Sequence, residues 1–134
     1  MHSLILSIFI RNSVAALISI LLGAVLGIVP ILAAIMNGLL VGITISSVTK
    51  TNGAIVLLAL LPHGIFELPA MFISWGLGIW NGIWYFQKGT SHYTFSKLRN
   101  MSLRIYFNVL LPLLLIAAVI EGLGITAHSM FKYM

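Results

Sequence analysis

The sequence predicts an all-α fold, a polytopic membrane helix bundle with about four to five embedded helices in one domain spanning 1–134. Three observations lead there. Of the 134 residues, 60% are hydrophobic and only 7% charged, with a mean hydropathy of +1.13. The run from Asn12 to Thr49 carries no charge, and as one helix it would extend about 55 Å, too far for a hydrocarbon core of roughly 30 Å. Finally, the cations Arg11, Lys50, Lys88, Lys97, Arg99, Arg104 and Lys132 flank the apolar runs, whereas the only two acids, Glu67 and Glu121, sit inside them.

This composition excludes a soluble domain, which needs a polar surface, and a disordered chain, which needs low hydrophobicity. The net charge of +5 is spread along the flanks of apolar runs, so it reads as orientation signal and anionic-lipid contact, with no nucleic acid expected. There is no cysteine, hence no disulfide and no thiolate metal site. Met1 to Ile10 is apolar but lacks a basic leader and a small-residue cleavage motif, so a removed signal peptide is not expected.

Taken in order, the first charge-free run must fold back, and Pro30 or Asn37-Gly38 offers the break, giving helices over about 13–29 and 31–48. The polar stretch around Lys50 and Asn52 separates them from the next apolar run. Pro62-His63-Gly64 is expected to cut that run into a short arm, 54–61, and a longer helix, 65–86. A helix broken or re-entrant at that depth must be enclosed by protein or line a cavity. Trp80, Trp84 and Tyr85 mark an interface. The segment 87–104 carries basic residues and no acid, and Phe95, Leu98, Met101 and Ile105 recur at helical spacing, so it should lie on the cytoplasmic surface of the cell membrane. A last helix, 105–127, should bend or break at Pro112. Arg11 and the 87–104 segment are expected on the same side, and no internal repeat is evident despite Asn37-Gly38 and Asn81-Gly82.

Small residues recur every four positions at Ser19, Gly23 and Gly27, at Gly38 and Gly42 next to Asn37, and at Ser74, Gly78 and Gly82. Such rows let helix backbones approach closely in lipid, either inside the chain or across a homodimer.

The stretch from Leu61 to Ala70 holds the most polar chemistry. On a helix, His63 and Glu67 lie one turn apart, with Pro69 bending the following turn. An ionised carboxylate there costs at least about 2.5 kcal/mol, so Glu67 should be protonated, paired with His63, or bonded to backbone groups that the prolines free. Three roles stay open: a structural tie, an ion or proton path, and metal binding or catalysis. A His-x-x-x-Glu pair supplies too few ligands for a closed zinc site, so Glu121, His128 or a second protomer would have to complete it. Glu121, about 24 Å along a helix from Ile105, either meets His63 and Glu67 in the bundle centre or ends a span. His2 and His92, near ends or loops, indicate no site.

Asn37-Gly38 with Gly42, the Pro62-His63-Gly64-x-x-Glu67-x-x-Ala70 stretch, and the run from Pro112 to Glu121 together resemble the stage II sporulation protein M family. The likeness extends from the first span to Glu121. The resemblance implies a polytopic membrane protein in which Pro62, His63, Gly64 and Glu67 match the family signature and Glu121 matches an acid near the end of the last apolar run. In spore formers the family member anchors a peptidoglycan-degrading complex with a lytic transglycosylase and an amidase, while many relatives occur in organisms that do not sporulate. This chain is shorter, with no sizeable soluble region, so those partners are not carried over to it.

The expected function is therefore a non-enzymatic integral membrane scaffold or anchor that organises membrane or cell-envelope proteins. The alternative is a small ion, proton or solute transporter or channel using the His63–Glu67 site. No cofactor is expected, and a divalent metal on His63 and Glu67, with a metal-dependent enzyme, is the minor third reading.

Overall fold

The computed structural model describes residues 2–23, 25, 27–52, 55–84, 86–87 and 93–132, with side chains placed for all of these except 2, 48, 51–52, 55–63 and 125–132. Among the described residues the regular secondary structure is all helix, with no strand. The elements are α1 (His2–Leu22), α2 (Ile28–Asn52), α3 (Ile55–Ile83), α4 (Phe95–Ile105), a π-helical turn (Tyr106–Leu110) and α5 (Leu111–Lys132), the last three forming one continuous rod. Among the described residues three stretches, Ser3–Leu22, Ile28–Ser47 and Phe95–Gly124, are long and apolar enough to cross a membrane.

The chain reverses between α1 and α2 at Gly27, whose φ of +72° is a left-handed conformation that favours glycine. Three backbone bonds close the turn, Gly27 N–H to Gly23 O (2.8 Å), Val25 N–H to Leu22 O (2.9 Å) and Ile28 N–H to Val25 O (3.2 Å). Pro30 then sits in the first turn of α2, where its missing N–H costs nothing because that donor would lack a helical partner anyway.

Helix boundaries differ from the sequence reading in four places, one of them the last helix, which is part of a single rod from Phe95 to Lys132 rather than 105–127 after a separate surface segment. The first helix spans His2–Leu22 rather than 13–29, which puts Arg11 inside it instead of ahead of it. Arg11, Asn12 and Ser13 contain no helix breaker, and an exposed arginine can extend its head group away from apolar surroundings. The second helix continues through Lys50 to Asn52. In place of the break expected at Pro62–Gly64, α3 is a single helix that passes through Pro62, Gly64 and Pro69. A proline inside a helix forfeits one hydrogen bond, whereas unwinding the helix in an apolar setting would strand several backbone groups, so continuity wins.

Pro112 does distort its rod. Its ring crowds the carbonyl of Asn108 and it has no N–H to donate there, and the turn just before it widens into the π-helix. Leu111 N–H accordingly bonds to Tyr106 O, five residues back.

The contacts fix the helix directions. Gly23 lies against Gly78 and Gly27 against Gly82, so α1 and α3 run parallel. Tyr106 meets Ser13 while Gly122 faces Ile5, so the last rod runs antiparallel to α1. Helix α2 leaves the α1 turn beside Gly78 through Pro30 and returns the chain to the start of α3. One end of the bundle thus holds the α1–α2 turn, the end of α3 and α4. The other holds the start of α1 and the α2–α3 connection with Lys50. The core, Ala16, Ile20, Ala70, Met71, Trp75, Leu77, Tyr106, Leu110 and Leu114, comes from α1, α3 and the last rod; from α2, Ala33 and Ala34 pack against it partly buried, and Pro30 is buried beside Gly78.

Candidate functional site

Two rows of small residues close on each other between α1 and α3. A methyl group added at Gly23 would strike the Gly78 backbone, one at Gly78 would strike Ser19 O, and one at Gly82 would strike Gly27 and Gly23. Backbone therefore lies directly on backbone, which only glycine allows. Ser19 and Ser74 are buried in the same seam, and Ser74 Oγ donates to Met71 O within its own helix (2.8 Å).

Where the seam meets α4 there is a buried polar junction. Asn81 Nδ2 donates to Ile20 O at 3.4 Å, and Ser102 Oγ reaches Asn81 Oδ1 at 3.3 Å and Leu98 O at 3.0 Å. The amide orientation follows from chemistry: Ile20 O can only accept, so the Asn81 nitrogen faces it and the oxygen is left for Ser102. One hydroxyl proton serves two acceptors, and the shorter contact is to Leu98. A turn further along the rod, Tyr106 OH donates to Ser13 O at 3.0 Å. These contacts tie α1, α3 and the last rod together with neutral groups. Sequence reasoning noted Asn81-Gly82 only as a possible repeat and missed Ser102 and Tyr106. An asparagine within an otherwise apolar helix was the available signal, since such a residue needs a partner.

The acids lie toward the other end. Counted from the Asn81–Ser102 contact, Glu67 is about 21 Å along α3 and Glu121 about 28 Å along the last rod. Both are half-buried, and Glu67 Oε2 is shielded from solvent. Gly122, beside Glu121, is buried over the Ile5 side chain. The side chains of Pro62, His63 and His128 lie outside the described residues; Pro69 is exposed, and a methyl group at Gly64 would meet Leu68 Cδ1 at 3.7 Å. Among the described residues, no group of three or more His, Asp or Glu is arranged to hold a metal ion.

The third small-residue row is arranged oppositely. Every residue from 35 to 47 on α2 is exposed, and among the described residues nothing lies within 4 Å of a methyl group built at Gly38 or Gly42. Asn37 turns back on its own helix, donating to Ala33 O at 2.9 Å. Gly38, Gly42, Ser46 and their neighbours Leu39, Ile43 and Ser47 line a shallow hollow of about 350 Å³. Only 6% of the α2 span is buried, against 22% for the α1 span and 28% for the last rod. A second hollow, of about 390 Å³, opens on α4, and neither hollow includes Glu67 or Glu121.

Residues 1–124 match the stage II sporulation protein M family, covering nearly the whole chain. The chain belongs to that family. Family membership together with three long apolar helices makes it a membrane protein of the stage II sporulation protein M type. No curated protein and no solved structure matches it.

Proposed function

We propose that this member of the stage II sporulation protein M family is a non-enzymatic, multi-pass scaffold of the cell membrane that holds a partner protein by packing one of that protein's membrane helices against α2. The observation that carries the reading is the open row Gly38, Gly42 and Ser46 on a span of which only 6% is buried. Lipid tails already solvate an apolar helix face, so association in a bilayer depends on close backbone approach and dispersion, and exposed glycines provide that. The rows at Ser19, Gly23 and Gly27 and at Ser74, Gly78 and Gly82 are used inside the chain, whereas the row on α2 is open.

In this reading Glu67, Glu121 and His63 serve as internal ties rather than as a transport path, and no cofactor takes part. The end of the bundle with Lys97, Arg99 and Arg104 faces the cytoplasm, because short basic segments stay on that side. Partners come from membrane or cell-envelope proteins.

The test is the double variant Gly38→Leu/Gly42→Leu. Its thermal stability in detergent should match the wild type, because both positions face open space, while the amount of any partner recovered from native membranes should fall at least tenfold. Undiminished recovery of the partner would remove the scaffold role from this face.

A further inference from the structure

The second hollow, on α4, is lined by Thr94, Ser96, Lys97, Asn100, Met101 and Arg104. We propose that it is a binding groove for the headgroup of an anionic phospholipid, with the acyl chains running down the apolar side of the same rod.

The first argument is depth. Ser102 lies level with Asn81 and Ile20, and from there α4 runs a further ~10 Å to Phe95, to the level of the α1–α2 turn where the neighbouring helices end and the headgroup layer begins. Aromatic residues mark the same level. Trp80 and Tyr93 are exposed there, Trp84 Nε1 donates to Tyr93 O at 2.8 Å, and the Trp84 ring packs on Phe95 with centroids 5.4 Å apart. Tryptophan and tyrosine favour this layer because one side of each ring is apolar and the other polar.

The second argument is charge. Leu98 and Ser102 anchor α4 to the bundle, which leaves Lys97, Arg99, Asn100 and Arg104 exposed. The sequence places no acid between Gln87 and Arg104, so nothing on α4 or its approach competes for these cations. Lys97, Asn100 and Arg104 are spaced along one face of the helix, and Lys97 Nζ is steadied over the Tyr93 ring at 5.1 Å. Two cations, an amide and the hydroxyls of Thr94 and Ser96 form a donor set suited to a phosphodiester.

The third argument is order. Beyond Arg104 the outward residues of the rod, apart from Asn108, turn apolar, with Phe107, Val109, Leu115 and Ile116 exposed. A phospholipid presents phosphate first and hydrocarbon second, in the same direction. A soluble phosphate compound would use the first part only.

The full chain in detergent, titrated with short-chain phosphatidylglycerol and with phosphatidylcholine and read by native mass spectrometry, tests this. Phosphatidylglycerol should bind roughly 25-fold more tightly, since each of the two cations is worth roughly fivefold on an anionic surface. The preference should vanish in Lys97→Gln/Arg104→Gln and persist in Lys50→Gln, which removes an exposed charge at the opposite end. Equal binding of the two lipids, a preference that survives the double variant, or an equal loss in Lys50→Gln would overturn the proposal. Displacement of bound phosphatidylglycerol by millimolar inorganic phosphate would also overturn it, reassigning the groove to a soluble anion.

Discussion

The α1–α3 seam and the outer face of α2 carry the same pattern, small residues four apart, yet they have opposite surroundings. In the seam, Gly23, Gly78 and Gly82 have backbone against the position where a side chain would begin; on α2, Gly38 and Gly42 have nothing. Spacing alone therefore tells that a helix can be approached closely, and only the fold tells whether the chain has already used the opportunity. A closed row holds the molecule together. An open one is available to another molecule.

The contrast can be broken most severely at Gly78. Gly78→Ala drives a methyl group onto the Ser19 carbonyl, where the obstacle is backbone and cannot rotate away. It should cost about 3 kcal/mol, seen as a lower unfolding midpoint in detergent, as over-packing in a tight core does. If Gly78→Ala unfolded with the wild type, the seam would not be close-packed. Next in size is the junction that holds α4 against the seam. Asn81→Leu removes the bond to Ile20 O and one acceptor for Ser102, and a loss of about 1 to 2 kcal/mol is expected, within the upper range for hydrogen bonds between membrane helices. A denaturation series that found no change would leave those contacts without energetic weight. The smallest effect belongs to Gly42→Ala. The methyl group enters open space, and replacing a helical glycine lowers the freedom of the unfolded chain, so stability should hold or rise by up to about 1 kcal/mol. Any clear destabilisation would mean that α2 is covered within the chain itself.

How much of this was legible in the sequence depends on what each residue requires of its neighbours. The Gly23 and Gly78 rows were visible because helical period is a local property. Pro112 was visible as a site of distortion because its missing N–H is intrinsic, although the π-helical turn that absorbs it depends on the packing of Tyr106 and Leu110 in the core. Arg11 misled because a charge was read as the edge of a span, while an exposed arginine on a long flexible stem is compatible with the middle of a helix. Pro62-Gly64 misled because glycine and proline break helices in water, where the freed backbone groups find solvent; an apolar setting withholds that option. The Asn81–Ser102 pairing joins residues 21 apart on two different helices, and no spacing rule reaches it. The sequence reading singled out charge, in Glu67 and Glu121, and gave no role to Ser102 and Tyr106, whose buried contacts cross between helices.

Because the chain has no cysteine, the open face can be probed one position at a time. Single cysteines placed at each residue from 35 to 47, cross-linked in native membranes with a short thiol-to-amine reagent, test most directly whether α2 docks a partner helix. The account predicts adducts to another polypeptide that peak at Gly38, Gly42 and Ser46 and fade on the opposite side of the helix. Cross-linking that is absent at those three positions, or uniform around α2, would show a helix facing lipid and contradict it.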